Sequence, residues 1–255
     1  MADESPFDVI RREIYPELES IYGEYGFETY FVYGRRQSNA GRYIRRKVEE
    51  LRWNRFYLFL RAYDYIFLSI YKFINPRVTL EGKNIKVGVP EDLRHLSIKI
   101  LHAARFLESK GFEIVVRTTA SSLLNPKLLN VICDSEVIEE DIFYGGRKVD
   151  QIDGFSFVSG SFTIFNSHAI RFLFQNRQKL DYSLIDDVCF GKFFRANATE
   201  ILNIDSVNVT SISDLNIIND ISQIIHFRCR TGVYDRKDVE IMTTLLKQLK
   251  NTLET

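Results

Sequence analysis

The pair Asp186-Asp187 opens the segment Asp186-Asp187-Val188-Cys189-Phe190-Gly191. Two adjacent carboxylates at a helix start can divide proton work, one orienting and the other accepting a proton. Neighbours point in different directions, so the pair by itself is no metal clamp. The plainer alternative, an N-cap followed by an acidic first helical residue that the helix dipole favours, stays open beside it. Alternation along a strand would put His226, Arg228 and Arg230 on one face. Forked guanidinium donors suit a diphosphate, and the histidine could ligate a metal or donate a hydrogen bond. Structural ion pairing explains the same residues equally well. In Arg117-Thr118-Thr119-Ala120-Ser121-Ser122, one arginine and four hydroxyl side chains could bind a nucleotide or sugar, or simply cap helices and close turns. Ser159-Gly160-Ser161 interrupts an apolar run, as a bulge or the close approach of a ligand would require.

The elements that must position these groups follow from apolar spacing. Ile10, Ile14, Leu18 and Ile21 predict an amphipathic helix from Phe7 to Tyr22, kinked at Pro16. Strands are expected over Glu28 to Tyr33, Asn84 to Val89, Phe112 to Val116, Phe155 to Phe165, Val207 to Ile212 and Ile224 to Cys229. A helix from Pro90-Glu91, with Leu93, Leu96, Ile100, Ala104 and Leu107 on one face, is ended by Gly111. With its flanking strands it makes a βαβ unit and implies a right-handed crossover in a mainly parallel sheet. Further helices are expected from Asn125-Pro126 to Ile132, after a cap at Ser167, from Asp186 to Phe194, and after a cap at Asp235, with Val239, Met242, Leu246, Leu249 and Leu253 in a 3.6-residue pattern. In such a sheet, ligands bind beyond the carboxyl ends of the strands, where Arg117 to Ser122 falls.

Composition bounds the rest. The 255 residues suit one α/β domain spanning 1–255, and 45% hydrophobic with 27% charged residues is an ordinary globular balance. Formal net charge is zero, yet the stretch from Arg35 to Arg61 holds nine Lys/Arg against Glu49 and Glu50, so this segment carries +7 and the remainder −7. No overall field draws nucleic acid, and no recognised motif surrounds the patch, so a nucleic-acid partner is not expected. Cys133, Cys189 and Cys229 are odd in number and far apart, which indicates neither disulfides nor a zinc knuckle and suits a reducing compartment. A cytoplasmic location, with peripheral membrane contact as an option, is expected. Residues 41–75, basic at first and then rich in aromatics, read as a helical insertion suited to an anionic membrane surface, a homodimer interface or a flap over the site, with packing or dimerisation preferred.

Taken in order from roughly Tyr30 to Leu246, these segments resemble glycosyltransferase family 31 and its fringe-like and β-1,3-galactosyltransferase-like relatives. The resemblance rests on Val116-Arg117-Thr118-Thr119-Ala120-Ser121, on Val158-Ser159-Gly160-Ser161 running to Asn166-Ser167, and most specifically on Asp186-Asp187-Val188-Cys189-Phe190-Gly191. It implies a GT-A-like α/β fold and an inverting transfer of a sugar from a nucleotide-sugar donor to a glycan or lipid-linked acceptor. Asp187 would then be the general base, with Asp186 beside it. Arg117, Thr118, Thr119, Ser121, Ser122, His226, Arg228 and Arg230 would contact the donor, with Arg236 nearby, and Ser159, Gly160 and Ser161 the sugar or acceptor. Thr119-Ala120-Ser121 stands where relatives carry DxD-type carboxylates and offers no anionic ligand for Mn²⁺ or Mg²⁺. A diphosphate neutralised by basic residues, a metal held by other groups (His226 among them), or a silent carbohydrate- or nucleotide-sugar-binding module are all compatible with that departure.

Overall fold

The computed structural model describes residues 6–35, 68–135, 138, 142–150, 155–218, 220–230 and 237–253. The chain is mixed α/β. The predicted first helix is two: α1 (Pro6–Glu13) and α2 (Tyr15–Glu24). Pro16 sits in the first turn of α2, where its missing N–H costs nothing, and the interruption is the single residue Ile14, which keeps helical backbone angles and donates its amide to the Ile10 carbonyl at 2.9 Å. Strands β1 (Phe31–Arg35), β2 (Val78–Glu81) and β3 (Asn84–Pro90) form one sheet, with β1 parallel and β2 antiparallel to β3. Asp92 caps a short 3₁₀ turn by accepting from the Arg94 and His95 amides, and α3 (Leu96–Glu108) follows.

Next come β4 (Ile114–Thr118), β5 (Ser122–Leu124), α4 (Pro126–Cys133), β6 (Tyr144–Asp150), β7 (Ser156–Asn166), α5 (Ser167–Gln175) and α6 (Asp186–Ala196). The chain ends with β8 (Ile201–Asn203), β9 (Ser206–Asn208), α7 (Ile212–Ile217), β10 (His226–Arg228) and α8 (Asp238–Leu253). The central sheet has the order β4-β7-β6-β8, and a third sheet the order β5-β10-β9. The cap of α5 is Asn166, whose side chain accepts from the Ala169 amide, rather than Ser167. Asp235 and most of 41–75 lie outside the described residues; within that stretch, Leu68–Ile70 are helical and Leu68 is buried. No helix among the described residues is long and apolar enough to cross a membrane.

The expectation of a mainly parallel sheet is corrected. Among the described residues four of the seven strand pairings are antiparallel, and β4 pairs antiparallel with β7 instead of lying beside β3. Only five residues separate Asp150 from Ser156. A connection that short returns a strand antiparallel, because a parallel return needs a crossover of a dozen residues or more. Apolar alternation marks a strand without revealing its direction.

The central sheet separates two cores. Phe162 and Ile164 of β7 face α2, β5, β10 and α8, while Val158 and Phe165 face β3, α3, α5 and α6. On β4, Ile114 and Val116 join the first core and Val115 the second, the period-2 pattern of a sheet covered on both sides. The α3 face differs from the sequence reading: Leu93 is in the 3₁₀ turn and exposed, whereas Ser97 to Leu101 and His102 to Ala104 include the buried positions on several sides. Helix α3 touches β3, α5 and α6 at once, so no single stripe faces its neighbours. Tyr22 ties α2 to the third sheet, its hydroxyl accepting from the Leu124 amide at 3.0 Å.

At Gly146 of β6, φ is +139° and an added Cβ would run into the Phe162 carbonyl oxygen. Gly146→Ala should therefore cost about 3 kcal/mol from strain and overpacking, read as a lower urea midpoint with an unchanged denaturant slope.

Candidate functional site

The site is built around an irregularity in β7. Gly146 pairs with Thr163 and Lys148 with Val158, so the single residue Arg147 faces the four residues Ser159 to Phe162. This wide bulge is closed internally. Thr163 Oγ1 donates to the Ser159 carbonyl at 3.0 Å, the Ser161 amide donates to Ser159 Oγ at 3.3 Å, and the two serine hydroxyls lie 3.0 Å apart. Ser159 and Ser161 are buried and occupied by this work. Gly160 sits between them with its N–H turned toward α6, donating to Asp187 Oδ2 at 3.3 Å.

An added Cβ at Gly160 would strike the Arg117 guanidinium. Arg117, on β4 opposite Thr163, lies directly across the bulge, so any side chain at 160 would have to displace its guanidinium. Arg117 Nη1 reaches Asp186 Oδ2 at 2.5 Å, with the two side chains 15% and 4% exposed. The contact is ionic rather than an aligned hydrogen bond, since Oδ2 has no hydrogen-bond partner among the described residues. Burial raises the Asp186 pKa above its ordinary value, Arg117 opposes that rise, and Asp187 adds to it. Arg117 is thus matched to a carboxylate of its own chain rather than turned to a ligand.

Helix α6 carries the acids without a side-chain cap: Ile185 is the N-cap, and Asp186 and Asp187 occupy the first turn. Asp187 Oδ1 accepts from the Val188 amide at 2.8 Å. Gly191, the last residue of the motif, packs so closely on Phe157 that a Cβ would collide, which fixes α6 against β7. The loop before the helix is held from α3, where Ser97 Oγ donates to the Leu184 carbonyl at 3.0 Å. Asp186 is buried and Asp187 half-buried, so the adjacent carboxylates receive different environments.

Strand β10 supplies the cationic side. His226, Arg228 and Arg230 run from core to surface: the first is fully buried, the second half-buried, the third exposed. His226 Nδ1 is hydrogen-bonded to Ser206 Oγ, and its ring stacks on Phe162 with centroids 4.8 Å apart. Burial, with Arg147 and Arg228 adding, pushes its pKa down to about 3, so it is a neutral interior residue. Arg228 lies between Ser122 of β5 and Asn208 of β9. Its pKa is drawn down by burial and then by Arg230 and Arg147, with Asp187 opposing.

The hydroxyls of the β4–β5 connection turn inward. Thr118 Oγ1 donates to the Ser161 carbonyl at 3.1 Å, Thr119 Oγ1 and Ser122 Oγ are 2.8 Å apart, and the Ser122 amide donates to the Thr119 carbonyl. The Ser121 carbonyl accepts from the Cys229 amide at 2.8 Å. These residues carry the chain from the central sheet into the third sheet. The structure therefore brings Arg117, Gly160, Asp186 and Asp187 together, with Arg228 within electrostatic reach of Asp187, and gives Thr118, Thr119, Ser121, Ser122, Ser159 and Ser161 internal partners. Among the described residues, no three His, Cys, Asp or Glu side chains are grouped to hold a metal ion.

Two participants were missed by the sequence reading. Arg147 lies opposite the bulge and donates to Asn208 Oδ1 at 2.8 Å. Tyr144 is stacked between Phe165 and Phe194 beneath the acids, with its hydroxyl accepting from the Val158 amide at 3.3 Å. Both lie on β6, whose Gly145-Gly146 pair breaks the apolar alternation that signals a strand. Comparison with models of known protein families finds no match, and comparison with characterised proteins finds none either.

Breaking a buried ion pair on one side costs about 3–5 kcal/mol, so Arg117→Gln should be strongly destabilised near neutral pH. Asp186 has a raised native pKa, so its folding contribution is greatest below the ordinary 3.8 and declines as pH rises through the native value. Loss of Arg117 moves that native value further up. The stability gap between Arg117→Gln and wild type should consequently narrow as pH is lowered from 7 toward about 5, checked by urea unfolding at each pH.

Proposed function

We propose that the chain is a GT-A-like glycosyltransferase in which Asp187 deprotonates the acceptor hydroxyl. The observation that carries the reading is the different treatment of two adjacent carboxylates. Asp186 is buried and matched to Arg117, while Asp187 stays half-buried, oriented by the Gly160 N–H and without an ion pair among the described residues. A general base needs that combination: a fixed direction and an open face. A pair that served only the helix dipole would need neither the ion pair across the bulge nor the glycine that admits it.

In the reaction, the acceptor oxygen attacks the anomeric carbon of a nucleotide sugar and its proton passes to an Asp187 carboxylate oxygen. The new carbon–oxygen bond forms as the anomeric carbon–phosphate oxygen bond breaks, and the electron pair leaves on the nucleoside diphosphate. Attack from the face opposite the leaving group inverts the anomeric centre. Tyr144, Phe165 and Phe194 form a stiff apolar floor under the acids, and Gly191 against Phe157 fixes the helix that bears them. Orientation of this kind supports transfer by holding the base in a near-attack geometry.

Asp187→Asn should lower kcat by about 10²–10⁴-fold, the usual contribution of a positioned base, while the melting-temperature rise on adding the donor persists. A donor is found first by thermal shift against UDP-, GDP-, CMP- and dTDP-sugars. Turnover by Asp187→Asn equal to wild type would overturn the assignment.

A further inference from the structure

We infer that Arg147, Arg228 and Arg230 form the seat of a diphosphate, so that the departing group of a nucleoside-diphosphate sugar is neutralised by guanidinium side chains. The assignment deepens the transfer reading and rests on it for the identity of the ligand. Its geometry comes from three strands of two sheets. Arg147 leaves β6 opposite the bulge and donates to the Asn208 side chain at 2.8 Å. Asn208 is the register partner of Arg228, and Arg230 lies two residues further along the same face. The bulge that faces Arg147 also carries Gly160, which donates to Asp187. Arg228 is thus within electrostatic reach of Arg147 and Arg230 on one side and of Asp187 on the other.

Charge decides what this cluster accepts. Among the described residues none of the three arginines has a carboxylate within ion-pair distance, and the Nε of Arg228 is buried without a hydrogen-bond partner. The nearby Arg117–Asp186 pair is neutral in sum. Around Arg228, Arg147 and Arg230 add to its own charge and Asp187 opposes, a surplus of two positive charges. Half-burying Arg228 beside two like charges is unfavourable unless an anion completes the cluster. The diphosphate of a nucleotide sugar carries two negative charges and offers several acceptor oxygens to forked donors. Arg117 and Asp186 are paired with each other, and the hydroxyls of Thr118, Thr119, Ser122, Ser159, Ser161 and Thr163 are hydrogen-bonded within the protein, which leaves Arg147, Arg228 and Arg230 as the cationic groups for such a ligand.

The test titrates the intact chain with inorganic pyrophosphate by calorimetry, in EDTA and separately in Mg²⁺, for wild type, Arg147→Gln, Arg228→Gln, Asp187→Asn and the remote control Lys127→Gln. Ligand-free melting curves accompany each variant. Wild type and Lys127→Gln should bind alike in EDTA, Arg147→Gln and Arg228→Gln should each bind about 10–100-fold more weakly, and Asp187→Asn should bind at least as tightly as wild type. Because Arg147 is bonded only through an exposed-side contact to Asn208, Arg147→Gln should stay folded and keeps the test decisive if Arg228→Gln does not. Unchanged affinity in folded Arg147→Gln, or binding that requires Mg²⁺, would overturn the seat. Turnover lost in Asp187→Asn with unchanged pyrophosphate affinity in the arginine variants leaves transfer standing and the seat rejected; arginine-dependent pyrophosphate binding without transfer from any nucleotide sugar does the reverse.

Discussion

The Arg117–Asp186 contact across Gly160 is the constraint on which the site depends. It joins β4, the bulge of β7 and the first turn of α6 at one point, with both side chains largely buried. A buried ion pair is weak as a source of net stability, because desolvating two charges offsets most of their attraction. Its value here is geometric. With the Asp186 carboxylate fixed, the next residue must leave the helix in one direction, and that direction meets the Gly160 amide. The peculiarities around it follow: a glycine in a buried strand, a bulge closed by serine and threonine hydroxyls, and a helix start that uses its acids for tertiary contacts instead of a side-chain cap.

The same arrangement explains why the central sheet has a core on each side. An interior bulge would expose backbone groups to apolar surroundings unless each found a partner. Ser159, Ser161 and Thr163 provide those partners locally, so β7 continues between two apolar layers while one face of the bulge carries polar groups. The aromatic stack of Tyr144 on Phe194, at 4.2 Å between centroids, packs the neighbouring strand β6 against α6.

Element existence was largely legible in the sequence wherever apolar spacing was regular. The patterns of Ile85, Val87 and Val89 and of Met242, Leu246 and Leu249 led to β3 and α8, and all six residues are buried. Strand direction was not legible, because alternation is identical in parallel and antiparallel ladders; the length of the β6–β7 connection decides it. Strands β2, β5, β6 and β8 went unread because they are short or interrupted by glycine and polar residues. Within the site, residue type pointed to the right places and often to the wrong partners. Arg117 and the hydroxyls from Thr118 to Ser122 look ligand-facing as a string, yet a buried hydroxyl must find a hydrogen bond somewhere. In this chain the nearest partners are its own backbone and neighbouring side chains. His226 was singled out for its chemistry, and its burial against Phe162 makes it a neutral spacer that sets where Arg228 emerges.

Two charge environments thus meet at Asp187. On one side Arg117 and Asp186 cancel within the interior; on the other, Arg147, Arg228 and Arg230 have no carboxylate at ion-pair distance among the described residues. Had the interior pair been absent, Arg117 would add a fourth cation and Asp186 a second free acid, and the site would lose its polarity. Fixing one oppositely charged pair in the core lets a single carboxylate keep an open face beside a cationic surface. The proposed transfer calls for that separation, because a base ion-paired to a leaving-group anchor would lose basicity and the anchor would lose charge. The Gly160 amide supplies a neutral alternative: it holds Asp187 by a hydrogen bond that directs the carboxylate without cancelling its charge.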